Sequence, residues 1–204
     1  ENCYCVRLYR TTYEGERLVN TTQVNYVDPL DRKQILEADQ ELRHQMNIIT
    51  DFLRKYVPGY EHCTIKTGAS TLGIRESRRF SGKYVMNISD LREARRFPDV
   101  VVHKAQFVVD IHNPVGGGQA NGIAEYVDAY DIPWRSLVPQ KMENLILAGR
   151  CISGTHEAMA SYRVMAIAMA IGEAAGIGAA LAIDHDVTPE NLDVKYIQKA
   201  LMDK

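Results

Sequence analysis

No excess of positive charge runs through this 204-residue chain: Lys and Arg total 24 against 26 Asp and Glu, a net charge of −2. Such a surface has no electrostatic drive toward a phosphate backbone, which argues against nucleic acid as a partner. Cysteine is scarce as well. Four residues are too few for a disulfide-stapled scaffold. Cys3 and Cys5 fall two apart on an alternating stretch and Cys63 follows His62, yet no second pair completes a metal-ligand spacing. These read as apolar cysteines on strand faces. A leader is missing too: the chain opens on Glu1, with no charged-apolar-small segment, which points to a processed chain or a piece of a longer one.

Long hydrophobic runs are limited to one. Between Val164 and Ile183 the only charge is Glu173. The length suits a bilayer, but Ala and Gly dominate the run, and the downstream flank is Asp184-His185-Asp186 with no Lys or Arg anchor. A carboxylate near the centre would cost roughly 2.5–3.5 kcal/mol even on a lenient insertion scale. The run therefore predicts a buried helix of a soluble domain and no membrane span.

What is present is an average globular composition, 46% apolar and 25% charged, enough for one large domain or two small ones. Residues 2–10 and 20–26 read as strands, as do 62–66. Between them Asp28 and Pro29 suit the start of a helix whose apolar residues recur at Ile35, Ala38, Leu42, Met46, Ile49, Leu53 and Tyr56, ending at Pro58-Gly59. Ser89 predicts the cap of a short helix reaching Phe97, and 100–111 a long β-rich run. A last helix is expected from Thr188-Pro189-Glu190 to about Met202.

Three stretches bear on chemistry. Arg75, Glu76, Ser77, Arg78 and Arg79 form a charge run bracketed by apolar pieces. On a strand, Arg75, Ser77 and Arg79 would share one side and Glu76 and Arg78 the other. An inward guanidinium needs a carboxylate or an anionic ligand, so the run is either a solvated edge or an anion clamp. Gly116-Gly117-Gly118-Gln119-Ala120-Asn121-Gly122 invites comparison with a dinucleotide fingerprint, but its spacing fails and no helical pattern follows. It reads as a surface loop. Finally, Asn144-Leu145-Ile146-Leu147-Ala148-Gly149 is a short apolar run suited to a buried parallel strand. A turn-rich link, Arg150 to His156, leads into a small-residue helix from about Glu157 to about Ile183. Ligands of open α/β sheets gather at the carboxyl ends of such strands, and a helix start offers unpaired N–H groups to negative charge. Close helix–sheet packing alone would also explain the small residues.

The ordered series Ile132-Pro133-Trp134-Arg135-Ser136-Leu137-Val138-Pro139, Asn144 to Ser153, His156-Glu157-Ala158, Arg163-Val164-Met165 and Gly172-Glu173-Ala174-Ala175-Gly176 resembles the C-terminal part of bacterial FAD-dependent oxidoreductases. Gly73 to Arg79 and Asp110-Ile111-His112 resemble that family's middle region. The resemblance spans roughly residues 70–183 and implies a glutathione-reductase-like two-domain flavoprotein of mixed α/β (α+β) class. Its discontinuous, Rossmann-like FAD domain is opened by a Gly-rich N-terminal half and closed by a late strand and helix.

This chain has no G-x-G-x-x-G, so the resemblance implies that the N-terminal half of the same protein is missing. Residues 1–140 would then be part of a β-rich substrate domain, 141–183 the closing segment, and 184–204 a terminal helix. FAD is the implied cofactor, with Gly149, Arg150, Ala160, Ser161, Tyr162 and Arg163 on its side and the helix start at the pyrimidine edge of the flavin. Toward a small organic substrate, Arg75 and Arg78 are implied as clamps and His112 and His156 as proton donors. Two other classes stay open: a non-catalytic binding or interaction module that kept this fold, and an enzyme whose ligand site has nothing to do with flavin.

Overall fold

Asp31, rather than Asp28, starts the first long helix. In a computed structural model that describes residues 6–112 and 124–203, the Asp31 carboxylate accepts the backbone N–H groups of Lys33 (2.8 Å) and Gln34 (3.4 Å). It thereby satisfies two donors that a helix start leaves unpaired. Asp28 instead closes a preceding turn through Leu30 N (2.9 Å). The helix, α1, spans Arg32–Tyr56. Its expected face holds for Ala38, Ile49 and Leu53, which are buried, whereas Tyr56 is exposed. The described residues fall into two compact units, one built from 6–77 with His112, the other from 78–111 and 124–203.

In the first unit, β1 (Arg7–Arg10) pairs antiparallel with β2 (Arg17–Asn20), Arg7 opposite Asn20. Gly15, with φ +76°, supplies the left-handed residue of the connection. β2 ends where the second strand was expected to begin. Residues 21–25 run instead beside α1, held by the buried Gln45, which accepts Gln23 N and donates to Gln23 O, each at 3.0 Å. A main chain bonded to a side-chain amide leaves no ladder for a strand. The strand expected at 62–66 is irregular backbone. Cys3 and Cys5 and the Gly116–Gly122 stretch lie outside the described residues.

The second unit carries a two-stranded antiparallel pair, β3 (Val100–Ala105) and β4 (Tyr130–Pro133). The β-rich run does not continue as one strand to Ile111. Lys104 takes a positive φ of 56°, and the ladder ends one residue later. The short helix α2 (Ile88–Arg92) is capped by Asn87 in a reciprocal capping box with Asp90, so Ser89 lies inside it rather than before it. Three helices follow, α3 (His156–Tyr162), α4 (Met165–Asp184) and α5 (Val194–Met202). Asp193, not Thr188, caps α5. β4 is buried along its length, and α4 packs on β3 and α5. The core joins Met86, Leu91, Tyr130, Ile132, Trp134, Leu137, Ile152, Tyr162 and Ile171, all 3% exposed or less. The class is mixed α and β, with small antiparallel sheets rather than a described parallel one.

Two expectations at the heart of the sequence reading change. Residues 144–149 form no strand: 144–148 are irregular and Gly149 opens a 3-10 turn (Gly149–Cys151), with Leu145–Gly149 half-buried and the whole stretch outside both described sheets. Asn144 has φ +55°, and Leu147 N makes one bond to Leu137 O (3.0 Å). The single helix expected over 157–183 is two, broken where Val164 becomes extended (φ −72°, ψ 152°).

Candidate functional site

The approach to the helices is tightly laced. Ser153 N donates to Ser136 O (3.0 Å), Met86 N to Ser153 O (3.1 Å), and Thr155 N to Met86 O (2.7 Å). Arg79 Nε donates to Gly154 O (2.9 Å). Gly154 sits so close to the Tyr162 ring that an added Cβ would stand 2.5 Å from its hydroxyl oxygen. Gly149 is the opposite case. Its φ is +81°, and a Cβ there would meet nothing within 4 Å, so its left-handed backbone borders open space. Arg150 beside it is exposed.

The break creates two helix starts of different character. At α3 the Thr155 hydroxyl accepts Ala158 N (3.4 Å), and Glu157 lies in the first turn. Backbone N–H donation and the Thr155 hydroxyl hold the Glu157 carboxyl below the usual range. That end already has its cap and its negative charge. At α4 the N-cap is Val164, whose side chain can accept nothing, and no acidic residue occupies the first turn. Met165 is 84% exposed and Ala166 is exposed beside it. The amides at this start suit a neutral carbonyl or a developing negative charge.

The four residues leading to that start are wired into the core. Asp110 N donates to Ala160 O (3.4 Å). Ser161 Oγ donates to Phe107 O (2.7 Å), and because a hydroxyl has one proton, Tyr130 must donate to Ser161 Oγ across their 2.8 Å contact. Tyr162 donates to Ile152 O (3.2 Å). Arg163 Nη2 donates to the Asp110 main-chain oxygen (2.6 Å) and carboxylate (3.1 Å). Burial pushes the Tyr130 phenol up to about 12, against the opposing effect of Ser161, and raises Tyr162 as well.

Of the residues named from sequence, the second unit holds Gly149, Arg150, His156, Ala160, Ser161, Tyr162, Arg163 and Arg78. Ala160, Ser161 and Tyr162 are buried side chains; His156 and Arg78 are exposed. Arg75 and His112 belong to the first unit, Arg75 exposed and His112 half-buried. The 71–77 stretch is not a strand, yet exposure alternates along it: Leu72, Ile74 and Glu76 are half-buried, Gly73, Arg75 and Ser77 exposed. Arg79 departs from that alternation and turns inward to Gly154. The sequence assigned no site role of their own to Arg79, Asp110 and Tyr130. Only the Asp-Ile-His and Arg-run resemblances flagged their neighbourhoods. Among the described residues no group of His, Cys, Asp and Glu could hold a metal.

The second unit thus combines mixed α and β structure with an open glycine turn at Gly149 and a start of α4 that no side chain caps. The FAD dependent oxidoreductase family model matches residues 2–201, and the chain belongs to that family. FAD is accordingly its cofactor. No curated protein and no solved structure matched in the comparisons.

Proposed function

We propose that the chain is the closing portion of a flavoenzyme that moves a hydride between FAD and a small organic substrate, its Gly-rich half lying on polypeptide outside these residues. The observation that carries this is the outer face of α4. Met165, Met169, Gly172, Gly176, Ala179 and Ile183, at steps of three and four, are exposed, and the inner face is packed. The helix is long and apolar enough to cross a membrane, with mean hydropathy 1.9. Its outer face nevertheless carries Gly172, Gly176 and the charge of Glu173. Small residues favour close approach of another packed element over lipid. The apolar run at 144–148, tied to Leu137 by a main-chain bond yet in neither described sheet, is also what a strand looks like without its ladder. Both features are accounted for by a Rossmann-like half of the glutathione-reductase type that pairs with one and covers the other.

The residues fit the flavin. Gly149 would leave room for a chain of hydroxyls to pass, and the amides of Met165, Ala166 and Ile167, which no side chain caps, would hold a carbonyl edge. When bound, FAD supplies the hydride chemistry, and the protein supplies position and electrostatics. The α4 dipole stabilises negative charge at its start by roughly 0.3–2 kcal/mol. This shifts the flavin-facing end from the start of α3, where the sequence placed it, to the start of α4. On the substrate side we assign anion or carbonyl clamping to Arg75 and Arg78 and proton donation to His112 and His156.

The test is to purify the product of the complete gene. The expected result is a yellow protein whose released pigment is FAD and whose visible band bleaches on anaerobic reduction. A colourless product that takes up no FAD on reconstitution overturns the assignment.

A further inference from the structure

We infer that Arg163 is a positioning residue: its pair with Asp110 holds open the break between α3 and α4 and so keeps the first amides of α4 available to the flavin. The inference rests on the placement of FAD proposed above.

Nothing local compels the break. Tyr162-Arg163-Val164-Met165 contains neither Pro nor Gly, the usual causes of an interrupted helix. Arg163 still has helical angles (φ −72°, ψ −6°), and only Val164 leaves them. Were the helix continuous, the N–H groups of Met165, Ala166 and Ile167 would pair with the carbonyls of Ser161, Tyr162 and Arg163, four residues back. The break frees those three donors.

What opposes closure is tertiary. Arg163 grips both the main-chain oxygen and the carboxylate of Asp110, and the two side chains are only 12% and 18% exposed. A charge-assisted bond so shielded is little screened by salt. Ser161 and Ala160 are bonded to the same 107–110 segment, and Tyr130 supports Ser161 from β4. The clamp thus grips 160–163 from one side and leaves Val164 free to turn. Arg163 acts through Asp110 and the backbone it fixes rather than by touching the cofactor.

The experiment uses the full-length holoprotein and four variants. Arg163→Lys keeps the charge but loses the guanidinium fork, and Asp110→Asn keeps the shape but loses the charge. Arg135→Lys alters an ion pair with Asp99 elsewhere in the unit (2.8 Å) and serves as control. Ala166→Leu blocks the start of α4 directly. FAD dissociation constants, flavin midpoint potentials and thermal midpoints are measured together. We expect Arg163→Lys and Asp110→Asn each to weaken FAD binding about tenfold, the scale of one lost charge-assisted bond. We also expect both to move the midpoint potential negative, whereas Arg135→Lys moves neither. If Ala166→Leu abolishes binding while the two clamp variants match the control, the clamp is wrong and the flavin placement stands. If Ala166→Leu also leaves binding and potential unchanged, both are overturned. Loss of FAD in the clamp variants with no shift in potential, in step with lower thermal stability, reduces Arg163 to a structural role and overturns the inference.

Discussion

Tyr130 shows how much one buried hydroxyl can decide. It is fully buried, and its proton is committed to Ser161. Its pKa, near 10 in an unfolded chain, is pushed up to about 12. A raised folded pKa means that the folded state holds the proton more tightly, so its contribution is complete below pH about 10 and is lost as pH rises from there through about 12. Alkaline denaturation of wild type should therefore be steeper in that window than that of Tyr130→Phe, which an absorbance titration of phenolate beside circular dichroism would show. Gly154 offers a second expectation. With the Tyr162 hydroxyl 2.5 Å from a modest side chain, Gly154→Ala should destabilise by roughly 1–3 kcal/mol in a denaturant melt. Residues such as these were invisible in the sequence, because a lone Tyr or Gly acquires meaning only from the neighbour that folding brings to it.

At the level of elements, periodicity was a good guide where a helix has one wet and one dry face. The α1 pattern located Ala38, Ile49 and Leu53 in the core, although it missed the buried Gln45, a polar residue used to tie down residues 21–25. The pattern could not divide 157–183 into α3 and α4, since small apolar residues run through both and the divider is Asp110, some fifty residues upstream. Nor could it show that 144–149 lacks a ladder, because a strand is a property of two segments. The bare face of α4 leads to a prediction with a change of sign. In the 204-residue chain, Gly172→Ala and Gly176→Ala meet nothing within 4 Å. Each should raise helix stability by roughly 0.5–1 kcal/mol. In the complete gene product the same changes should lower the melting temperature, because a packed neighbour would then occupy that space. Two melts per variant suffice, and equal signs in both backgrounds would count against a covering half.

Over the whole molecule, the family resemblance in the sequence reached further than any element boundary, and FAD followed from a series of motifs rather than from one fingerprint. Each unit exposes large apolar side chains along a helix, Met165, Met169 and Ile183 on α4 in the second and Leu36, Ile48, Phe52 and Tyr56 on α1 in the first, and exposed apolar surface of this kind marks a contact to be covered. The 204-residue chain alone should therefore bind an environment-sensitive hydrophobic dye and associate at high concentration. The complete product with FAD should do neither, as dye fluorescence and light scattering would report.

Trp134 is the only tryptophan. It is 3% exposed, its indole N–H donates to Pro189 O (3.0 Å), and its ring lies against Gly178 of α4. The molecule thus carries a single built-in optical gauge. Its emission colour follows the loosening of α4 from the turn after β4 and so reports on the second unit, whose melting can be followed without attaching any label.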